Sequence, residues 1–463
     1  MSTLWCRCAL LASGWAERVR IGIADARIER IEVGVSRAPE DEAHELLLPG
    51  MPNLHSHAFQ RGMAGLTERA GSQADHFWSW RELLYRFVER LEPADVEAVS
   101  GYAFAEMLEA GFTRVAEFHY LHHDPRGAAY ADPAELAQRV AAAAQASGIG
   151  LTLLPVLYAH GGFGGRAPTA GQRRFINDIE QYARLLEASR RAVHGLEDAR
   201  VGVAPHSLRA VTPEELRAAM ALAGEGPIHI HVAEQAREVD DCLAWSGRRP
   251  VEWLCEELGI DHRWCLVHAT HVTAGELAGI IRSGATVGLC PITEANLGDG
   301  LFPAPAYLER GGLYGIGSDS NVLIDVASEL CTLEYGQRLA LERRNVLAQA
   351  HASGHDAHAG AARPSTGRAL FEGAVRGGQR AVGERSMHLT PGAPADLVSL
   401  DLGAASLAAR STDALIDSWI FASRRSVVDC VWRGGRKLVQ GGVHRERERL
   451  ESAYRRTLVR VLG

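Results

Sequence analysis

Eight short runs rich in β-forming residues recur along the middle of the chain, separated by longer segments with helical periodicity. Three of these segments, Pro93–Ala110, Pro133–Ser147 and Pro213–Ala223, begin with a proline, which is a common signal of a helix start. Eight such repeats predict a (β/α)8 TIM barrel, in which functional residues gather at the carboxyl ends of the strands. The eight runs are Leu46–His57, Thr113–Tyr120, Leu151–Ala159, Arg200–Leu208, Pro227–Glu234, Cys265–His271, Thr286–Thr293 and Leu313–Asn321.

The two ends of the chain have a different pattern. Residues 4–48 and 390–440 contain short strand-like pieces that are separated by turns. We expect these pieces to pair into one small β-sandwich beside the barrel, with residues 1–48 and 384–463 in the small domain and residues 49–383 in the barrel. The segment Arg445–Val461 is amphipathic and rich in arginine and glutamate, which predicts a C-terminal helix that docks on the protein.

Charge and composition restrict the classes of partner. The 463-residue chain has a formal net charge of −8 at pH 7, which argues against binding of nucleic acid or of an anionic membrane surface. No apolar run approaches the roughly 20 residues that a membrane span needs. The first residues lack a basic segment followed by an apolar one, so we expect a cytoplasmic protein. Eight scattered cysteines without a Cys-x-x-Cys pair are expected to be reduced thiols.

Histidines at two strand ends predict a metal site. His55 and His57 lie two residues apart on an extended strand, so both imidazoles face the same side. Taken alone, this pair is also consistent with two exposed histidines after a strand. His231 ends the stretch Ile228-His229-Ile230-His231 of the fifth run and is the third expected ligand, whereas His229 is expected to be a hydrogen-bonded core residue one layer down. Asp319 ends the eighth run and is expected to be a fourth ligand or a base beside the bound water.

Two further polar residues belong to the same rim. Glu234 follows His231 by three residues, in the loop and within reach of a metal-bound water. His268 lies at the end of the sixth strand, in Leu266-Val267-His268-Ala269. Each of these residues has a structural alternative, but six polar groups converging on one rim are a stronger signal than any single motif. Three histidines and one carboxylate leave a coordination position for solvent, as a catalytic zinc requires, although iron and manganese also suit this set. Such an ion lowers the pKa of bound water from about 15.7 to about 7.

These motifs resemble those of the amidohydrolase superfamily, in its aminohydrolase branch. The matching residues are His55-x-His57, His231-x-x-Glu234, His268 and Ser318-Asp319. Longer tracts are most similar to the formimidoylglutamate deiminase family. These tracts are Leu54–Arg61, Phe77–Leu84, Glu117–His123, Ala204–Arg209, His231–Gln235 and Cys290–Gly300.

The resemblance implies hydrolysis of N-formimino-L-glutamate to N-formyl-L-glutamate and ammonia, a step of histidine degradation. It implies that Asp319 accepts the proton of the nucleophilic water, that Glu234 protonates the imine nitrogen, and that His268 stabilises the nucleophile and the tetrahedral intermediate. Two-metal members of the superfamily usually bridge their ions with a carboxylated lysine from mid-barrel. The only lysine of this chain is Lys437, so we expect a single ion per chain. The family also implies a homodimer.

A substrate with two carboxylates requires cationic partners, and arginine matches carboxylates with paired donors. By resemblance, the substrate-binding set is expected to be Gln60, Arg81, Tyr120, His206 and Arg209. The alternative for each arginine is a solvated or salt-bridged surface residue. For Tyr120 the alternative is packing at the rim of the barrel.

Three other functions compete with this interpretation. A deaminase of a purine or pyrimidine base needs aromatic stacking and amide contacts, whereas arginines favour an anionic substrate. A metal-binding barrel without catalysis would act as a partner protein, but Glu234, His268 and Asp319 argue against it. A two-metal amide or ring hydrolase would hold two ions per chain.

Overall fold

The structure is a computed structural model that describes residues 2–69, 77–353 and 364–463. The β-strands within these residues, in chain order, are β1 (Ser2–Leu11), β2 (Gly14–Ala24), β3 (Arg27–Glu32), β4 (Glu42–Pro49), β5 (Met51–Ser56), β6 (Phe112–His119), β7 (Gly150–Leu157), β8 (Arg200–Val201), β9 (Ala204–Pro205), β10 (Ile228–Val232), β11 (Trp264–His268), β12 (Thr286–Leu289), β13 (Leu313–Ile316), β14 (Leu397–Leu400), β15 (Val428–Arg433), β16 (Arg436–Gln440) and β17 (Val443–His444).

Helices follow most of the barrel strands. The α-helices within the described residues are α1 (Phe77–Val88), α2 (Pro93–Glu109), α3 (Glu135–Ser147), α4 (Ile179–Ala192), α5 (Pro213–Ala223), α6 (Ala236–Ser246), α7 (Pro250–Glu257), α8 (Ala274–Ser283), α9 (Pro291–Leu297), α10 (Ala304–Leu308), α11 (Val326–Leu341), α12 (Val346–Ser353), α13 (Thr366–Ala381), α14 (Asp413–Ala422) and α15 (Arg447–Leu462). Short 3-10 helices span Ala58–Met63, Ala170–Gln172 and Ala405–Leu407.

The predicted TIM barrel is confirmed. Strands β5 to β8 pair in parallel in chain order, β9 continues the fourth position by pairing with β7, and β10 to β13 form a second parallel series. Single parallel bridges close the two seams between these series. Val203 and Ser207 bridge Ile228 and His231 at one seam, and Ser56 bridges Asp319 at the other.

Three predicted runs differ from the observed strands in detail. The run Leu46–His57 is two strands, because Gly50 separates β4 from β5. A Cβ atom at Gly50 would lie 2.3 Å from Oγ1 of Thr113, so only glycine fits this close approach. The run Thr286–Thr293 ends as a strand at Leu289, and Pro291 begins α9. The fourth run is interrupted between Val201 and Ala204.

Both ends of the chain meet in one sheet, as predicted. Its strand order is β17-β16-β15-β14-β4-β1-β2-β3, and β4 pairs parallel with β1 and antiparallel with β14. Strands from both ends share a separate apolar core, in which Leu4 and Ile21 pack with Leu397 and Trp432. The predicted sandwich is therefore built from a single continuous path of paired strands.

A buried ion cluster joins the barrel to the small domain. Arg114 of β6 is fully buried, and its Nη2 lies 2.8 Å from Oδ2 of Asp198 and 3.1 Å from Oε1 of Glu384. Arg433 of β15 also binds Asp198, and Arg200 binds Glu384. Because buried charges are costly unless they are paired, this cluster ties the bottom of the barrel to the C-terminal strands.

The predicted C-terminal helix is α15, and it docks on α2. Tyr454 stacks on Tyr102 with ring centroids 4.2 Å apart, and Arg447 forms a 2.6 Å ion pair with Glu109. All eight cysteines are unpaired thiols. Within the described parts of the chain, no helix has both the length and the apolar character needed to cross a membrane.

Candidate metal and catalytic site

Three imidazoles and one carboxylate converge at the carboxyl end of the barrel. Nε2 of His55 lies 3.2 Å from Nε2 of His57 and 3.0 Å from Nε2 of His231. Oδ1 of Asp319 lies 3.5 Å from Nε2 of His55 and 3.3 Å from Nε2 of His57. All four side chains are buried, so the alternative of two exposed histidines at positions 55 and 57 is wrong.

Backbone carbonyl groups orient two of these rings. Nδ1 of His57 donates to the carbonyl oxygen of Phe118 at 2.8 Å, and Nδ1 of His231 donates to that of His206 at 3.0 Å. A carbonyl oxygen only accepts, so the proton of each neutral ring is on Nδ1. The Nε2 atoms of His57 and His231 therefore present lone pairs to the centre of the cluster, as metal-ligating histidines do.

The cluster fits a divalent cation. Converging lone pairs and a carboxylate repel one another unless a positive charge lies between them. Zn–N distances of about 2.0–2.1 Å place neighbouring ligand atoms roughly 3 Å apart, close to the separations found here. Burial lowers the pKa of His55 to about 3 and lowers that of His57, so both rings stay neutral and available as ligands. The nitrogen and oxygen donors suit zinc, iron or manganese.

Asp319 is held by the first strand of the barrel. Its N–H donates to the carbonyl oxygen of His55 at 2.9 Å, and its own carbonyl oxygen accepts the N–H of His57 at 2.8 Å. Asp319 has a φ of 44°, a left-handed conformation that is rare for residues other than glycine. Gly317 permits this approach, because a Cβ atom there would lie 2.7 Å from the carbonyl oxygen of His55. The barrel seam thus places a ligand of the eighth strand beside the ligands of the first.

Glu234 and His268 lie beside the cluster. Nε2 of His268 is 3.8 Å from Oε1 of Glu234 and 3.7 Å from Oδ2 of Asp319. Burial raises the pKa of Glu234 to about 7. Burial opposes protonation of His268, but the carboxylates of Glu234, Glu294 and Asp319 raise its pKa to about 10. Both shifts are upward, and both favour the protonated form of the group.

A cavity opens beside the cluster and is lined by four of the five residues expected to bind substrate. Arg81, Tyr120, His206 and Arg209 are on its wall, together with Glu234, His268 and Asp319. Gln60 lies behind the wall, where its Nε2 donates to the Tyr120 hydroxyl at 2.7 Å. The structure thus brings the two arginines and the ligand cluster into one space.

The two arginines have different surroundings. Nη2 of Arg209 lies 3.8 Å from Oε2 of Glu234 and 3.9 Å from Oε2 of Glu238, so two buried carboxylates already balance its charge. Glu238 also accepts the N–H groups of Ala233 and Glu234, which fixes the turn that carries Glu234. The Arg81 guanidinium lies 5.7 Å from the ring centroid of Tyr85.

Several residues of the site were not expected from the sequence. Apolar and aromatic side chains form the rest of the cavity wall, and these are Trp80, Leu84, Tyr85, Tyr158, Phe175 and Leu297. Trp80 and Leu84 lie in the tract Phe77–Leu84, and Tyr158 lies at the end of the third predicted strand, so position along the chain was a usable signal for these three. His229, in contrast, donates from Nε2 to the carbonyl oxygen of Ala381 at 2.8 Å, which confirms the predicted buried hydrogen bond.

Comparisons with known sequences agree with this arrangement. Residues 46–438 match the amidohydrolase family, and residues 1–45 match the N-terminal domain of formimidoylglutamate deiminase HutF. The chain is 49% identical over 465 residues to a formimidoylglutamate deiminase of Pseudomonas aeruginosa, covering 100% of the chain and 99% of the relative. It is 27% identical over 424 residues to an 8-oxoguanine deaminase of the same organism, covering 87% of the chain and 86% of that relative.

Solved structures with the same fold include close and distant relatives. An amidohydrolase from Brucella melitensis superimposes with a TM-score of 0.95 and 54% identity, over 100% of both chains. An adenosine deaminase from Xanthomonas campestris with bound zinc superimposes with a TM-score of 0.80 over 99% of this chain and 98% of that one. The two sequences are 22% identical, so this likeness shows the fold alone. The chain belongs to the amidohydrolase family and, within it, to the formimidoylglutamate deiminase group.

Proposed function

We propose that the protein hydrolyses N-formimino-L-glutamate to N-formyl-L-glutamate and ammonia, in the degradation of histidine. One observation carries this proposal: Arg81 and Arg209 line the same cavity as Glu234, His268 and three of the four cluster residues, His57, His231 and Asp319. A cavity with two arginines suits a dicarboxylate, because guanidinium groups bind carboxylates through paired donors. The similarity to the Pseudomonas deiminase over the whole chain supports the same substrate.

The cofactor that we propose is one zinc ion per chain, held by His55, His57, His231 and Asp319. The convergence of these four side chains within 4.8 Å supports a single site, and the zinc of the Xanthomonas relative supports the metal. When bound, such an ion supplies a nucleophile at neutral pH by lowering the pKa of water to about 7. Iron or manganese would serve the same ligand set.

Asp319 and Glu234 divide the proton transfers. Oδ1 of Asp319 faces the histidine ligands and Oδ2 faces His268, so Oδ2 is the oxygen we assign to accept the proton of the attacking water. Glu234 delivers one proton to the imino nitrogen, and Asp319 passes the proton of the attacking water to the same nitrogen. The carbon–nitrogen bond then breaks and ammonia leaves, while the remaining hydroxyl proton of the adduct returns to Glu234 as the carbonyl group forms. A carboxyl group whose pKa is raised to about 7 retains a proton for this step at neutral pH. Water adds at the formimino carbon, so the carbon keeps its oxidation state.

His268 carries positive charge to the place where negative charge develops. Its raised pKa, about 10, keeps Nε2 protonated near the reacting carbon. A fixed donor in a buried site stabilises a developing oxyanion more strongly than water does. We assign this role to His268 and assign binding of the substrate carboxylates to Arg81 and Arg209, with Tyr120, Gln60 and His206 completing the binding wall.

We also propose a cytoplasmic homodimer. Eight unpaired thiols are typical of a reducing compartment. Tyr335, Leu339 and Leu341 of α11 are exposed, and so is Leu301, whose side chain lies against Gly336 of the same helix. Exposed apolar side chains that lie together mark contact surfaces. Light scattering of the purified protein should give a mass twice that of one chain, whereas the mass of a single chain would contradict the dimer.

We propose the domain division at residues 1–48 plus 384–463 and at residues 49–383. The sheet that unites β1 to β4 with β14 to β17 supports it. Limited proteolysis that cuts near residues 48 and 384 before other sites would agree with these boundaries. Early cleavage within the barrel instead would contradict them.

Release of ammonia tests the activity directly. We expect turnover of N-formimino-L-glutamate and none of guanine, cytosine or adenosine, measured with the same enzyme at matched metal content. Turnover of a base without turnover of the formimino compound would replace our proposal by the base deaminase alternative. Loss of both activities in metal-loaded protein would favour a binding function.

A further inference from the structure

A buried carboxylate lies behind His268, on the side away from the metal ligands. Glu294 of α9 is 6% exposed, and its Oε1 lies 3.1 Å from Nδ1 of His268. The same oxygen accepts the N–H of Cys290 at 2.9 Å. Glu294 does not line the substrate cavity, and it reaches the site through His268.

The backbone at His268 does not fix the imidazole through regular strand geometry. His268 has a φ of 68° and Ala269 a φ of 48°, and both values are left-handed and unfavourable for residues with a side chain. Such strained residues persist where surrounding contacts over-determine them. The hydrogen bond to Glu294 is one contact that holds the His268 ring.

The bond to Glu294 also selects which nitrogen faces the reaction. An ionised carboxylate only accepts, so the bond places a proton on Nδ1 and directs Nε2 towards Asp319 and Glu234. Nε2 then lies 3.7 Å from Oδ2 of Asp319 and 3.8 Å from Oε1 of Glu234. Without the carboxylate, the ring would have no acceptor at Nδ1 to define its orientation.

We propose that Glu294 is a positioning residue, which holds the His268 imidazole with Nε2 directed at the reacting atoms. The inference rests on the function of His268 proposed above. It predicts that Glu294 affects the rate of the chemical step and leaves substrate binding and metal content unchanged, because it contacts neither the cavity nor the ligand cluster. Removing the carboxylate partner of a metal-ligating histidine typically costs about 10–100-fold in activity, and we expect a loss of the same order for the partner of His268.

Substitution of Glu294 in the full-length, metal-loaded enzyme tests the proposal. We expect Glu294→Ala to lower kcat by about 10–100-fold and to change KM by less than about threefold. Glu294→Gln keeps an acceptor oxygen and should recover part of the loss seen with alanine. The zinc content of both variants should equal that of the wild type. A rise in KM or a loss of metal that accounts for the fall in activity would overturn the proposal.

Glu329 provides a matched control. Glu329 is also a buried glutamate, and it lies on α11. Its Oε2 accepts the N–H of Ile292 at 2.9 Å, and Ile292 belongs to α9, the helix that carries Glu294. Glu329→Gln should change the thermal midpoint without the fall in kcat that Glu294→Gln produces. Equal falls in kcat would mean that α9 as a whole is perturbed, and this would overturn a specific function of Glu294.

A double variant separates this inference from the proposed function of His268. If Glu294 acts through His268, the kcat of His268→Asn combined with Glu294→Gln should match that of His268→Asn alone, because the two losses are not additive. An unchanged kcat in His268→Asn overturns the function of His268 and this inference together. A fall in His268→Asn with none in either Glu294 variant, or multiplied losses in the double variant, overturns this inference alone.

Discussion

The Nε2 atoms of His55 and His231 lie 3.0 Å apart, on rings whose planes are perpendicular. The His231 ring has its proton on Nδ1, in the hydrogen bond to the carbonyl oxygen of His206. The Nε2 atom of His57 is a third nitrogen in the same small space. A proton on His55 can satisfy one of its two neighbours, whereas a metal ion satisfies all three, so metal binding is the central property of this cluster.

Metal content should therefore depend on His231 and not on His229. The two residues lie on the same strand and are both buried, but Nε2 of His229 bonds to the carbonyl oxygen of Ala381. We expect about one ion per chain in the wild type and in His229→Asn, and less than about a tenth of that in His231→Asn. Elemental analysis of the three purified proteins measures this. Two ions in the wild type would support the two-metal alternative.

The acid function of Glu234 is tested by an isosteric change. Glu234→Gln keeps the shape of the side chain but cannot release a proton, so kcat should fall by about 10²–10⁴-fold. Metal content should stay at the wild-type value, because Glu234 is not among the four converging ligands. Steady-state kinetics with metal analysis of the same sample measures both quantities. Wild-type kcat in this variant would contradict the proposed mechanism.

A substrate that lacks one carboxylate should show which carboxylate Arg209 binds and which Arg81 binds. Replacing either arginine by methionine removes charge-assisted hydrogen bonds of about 1.5–3 kcal/mol, which lowers kcat/KM by roughly 10–150-fold. The arginine that binds the side-chain carboxylate should lose its effect when N-formimino-L-glutamine replaces the glutamate compound.

Arg209→Lys should restore little activity, because an ammonium group lacks the planar pair of donors. Wild-type kcat/KM in both methionine variants would show that the arginines do not bind the substrate.

Stability should decrease on acidification through His351, which lies on α12 outside the metal site. Burial lowers the pKa of this imidazole to about 4, whereas an unfolded chain has a histidine pKa of about 6.5. Between these values the unfolded chain binds a proton that the folded protein excludes, so the free energy of unfolding falls as pH decreases below about 6.5. The expected loss near pH 5 is about 2 kcal/mol relative to neutral pH.

In the variant His351→Leu the unfolded chain has no imidazole to protonate at this position. The variant should therefore lose less stability than the wild type over the same pH range. Urea unfolding midpoints near pH 7.5 and near pH 5 measure the difference, and acid release of metal affects both proteins alike. An equal fall in midpoint for both proteins would contradict a neutral, partly buried His351.

Periodicity predicts the barrel and the positions of its strand ends, because alternation and helix-start signals are local properties of the chain. This is why His55, His57, His231, His268 and Asp319 could be placed on one rim from the sequence. The same reasoning could not find Glu294, whose side chain meets His268 from an element 26 residues away. The carbonyl group of Phe118, which orients His57, has no side-chain signal at all.

Strand limits were less predictable where packing between elements decides them. The division of the first run at Gly50 depends on the approach of Thr113, which is distant in sequence. The surroundings of Arg209 depend on Glu238, a helical residue that resembles any exposed glutamate when only the sequence is considered. The contacts of Gly50 with Thr113 and of Arg209 with Glu238 form only when the barrel closes, so local sequence propensity does not predict them.

The consecutive strands β4 and β5 connect the sheet of the chain ends to the metal site. β4 ends at Pro49, inside the small sheet, and β5 begins at Met51 and carries His55. β4 pairs with β14 of the C-terminal part of the chain. A chimera that takes the residues before Gly50 from a related enzyme would therefore also need the C-terminal strands of that enzyme. Recombination that exchanged only one terminus would mismatch β4 and β14 and displace the first ligand pair.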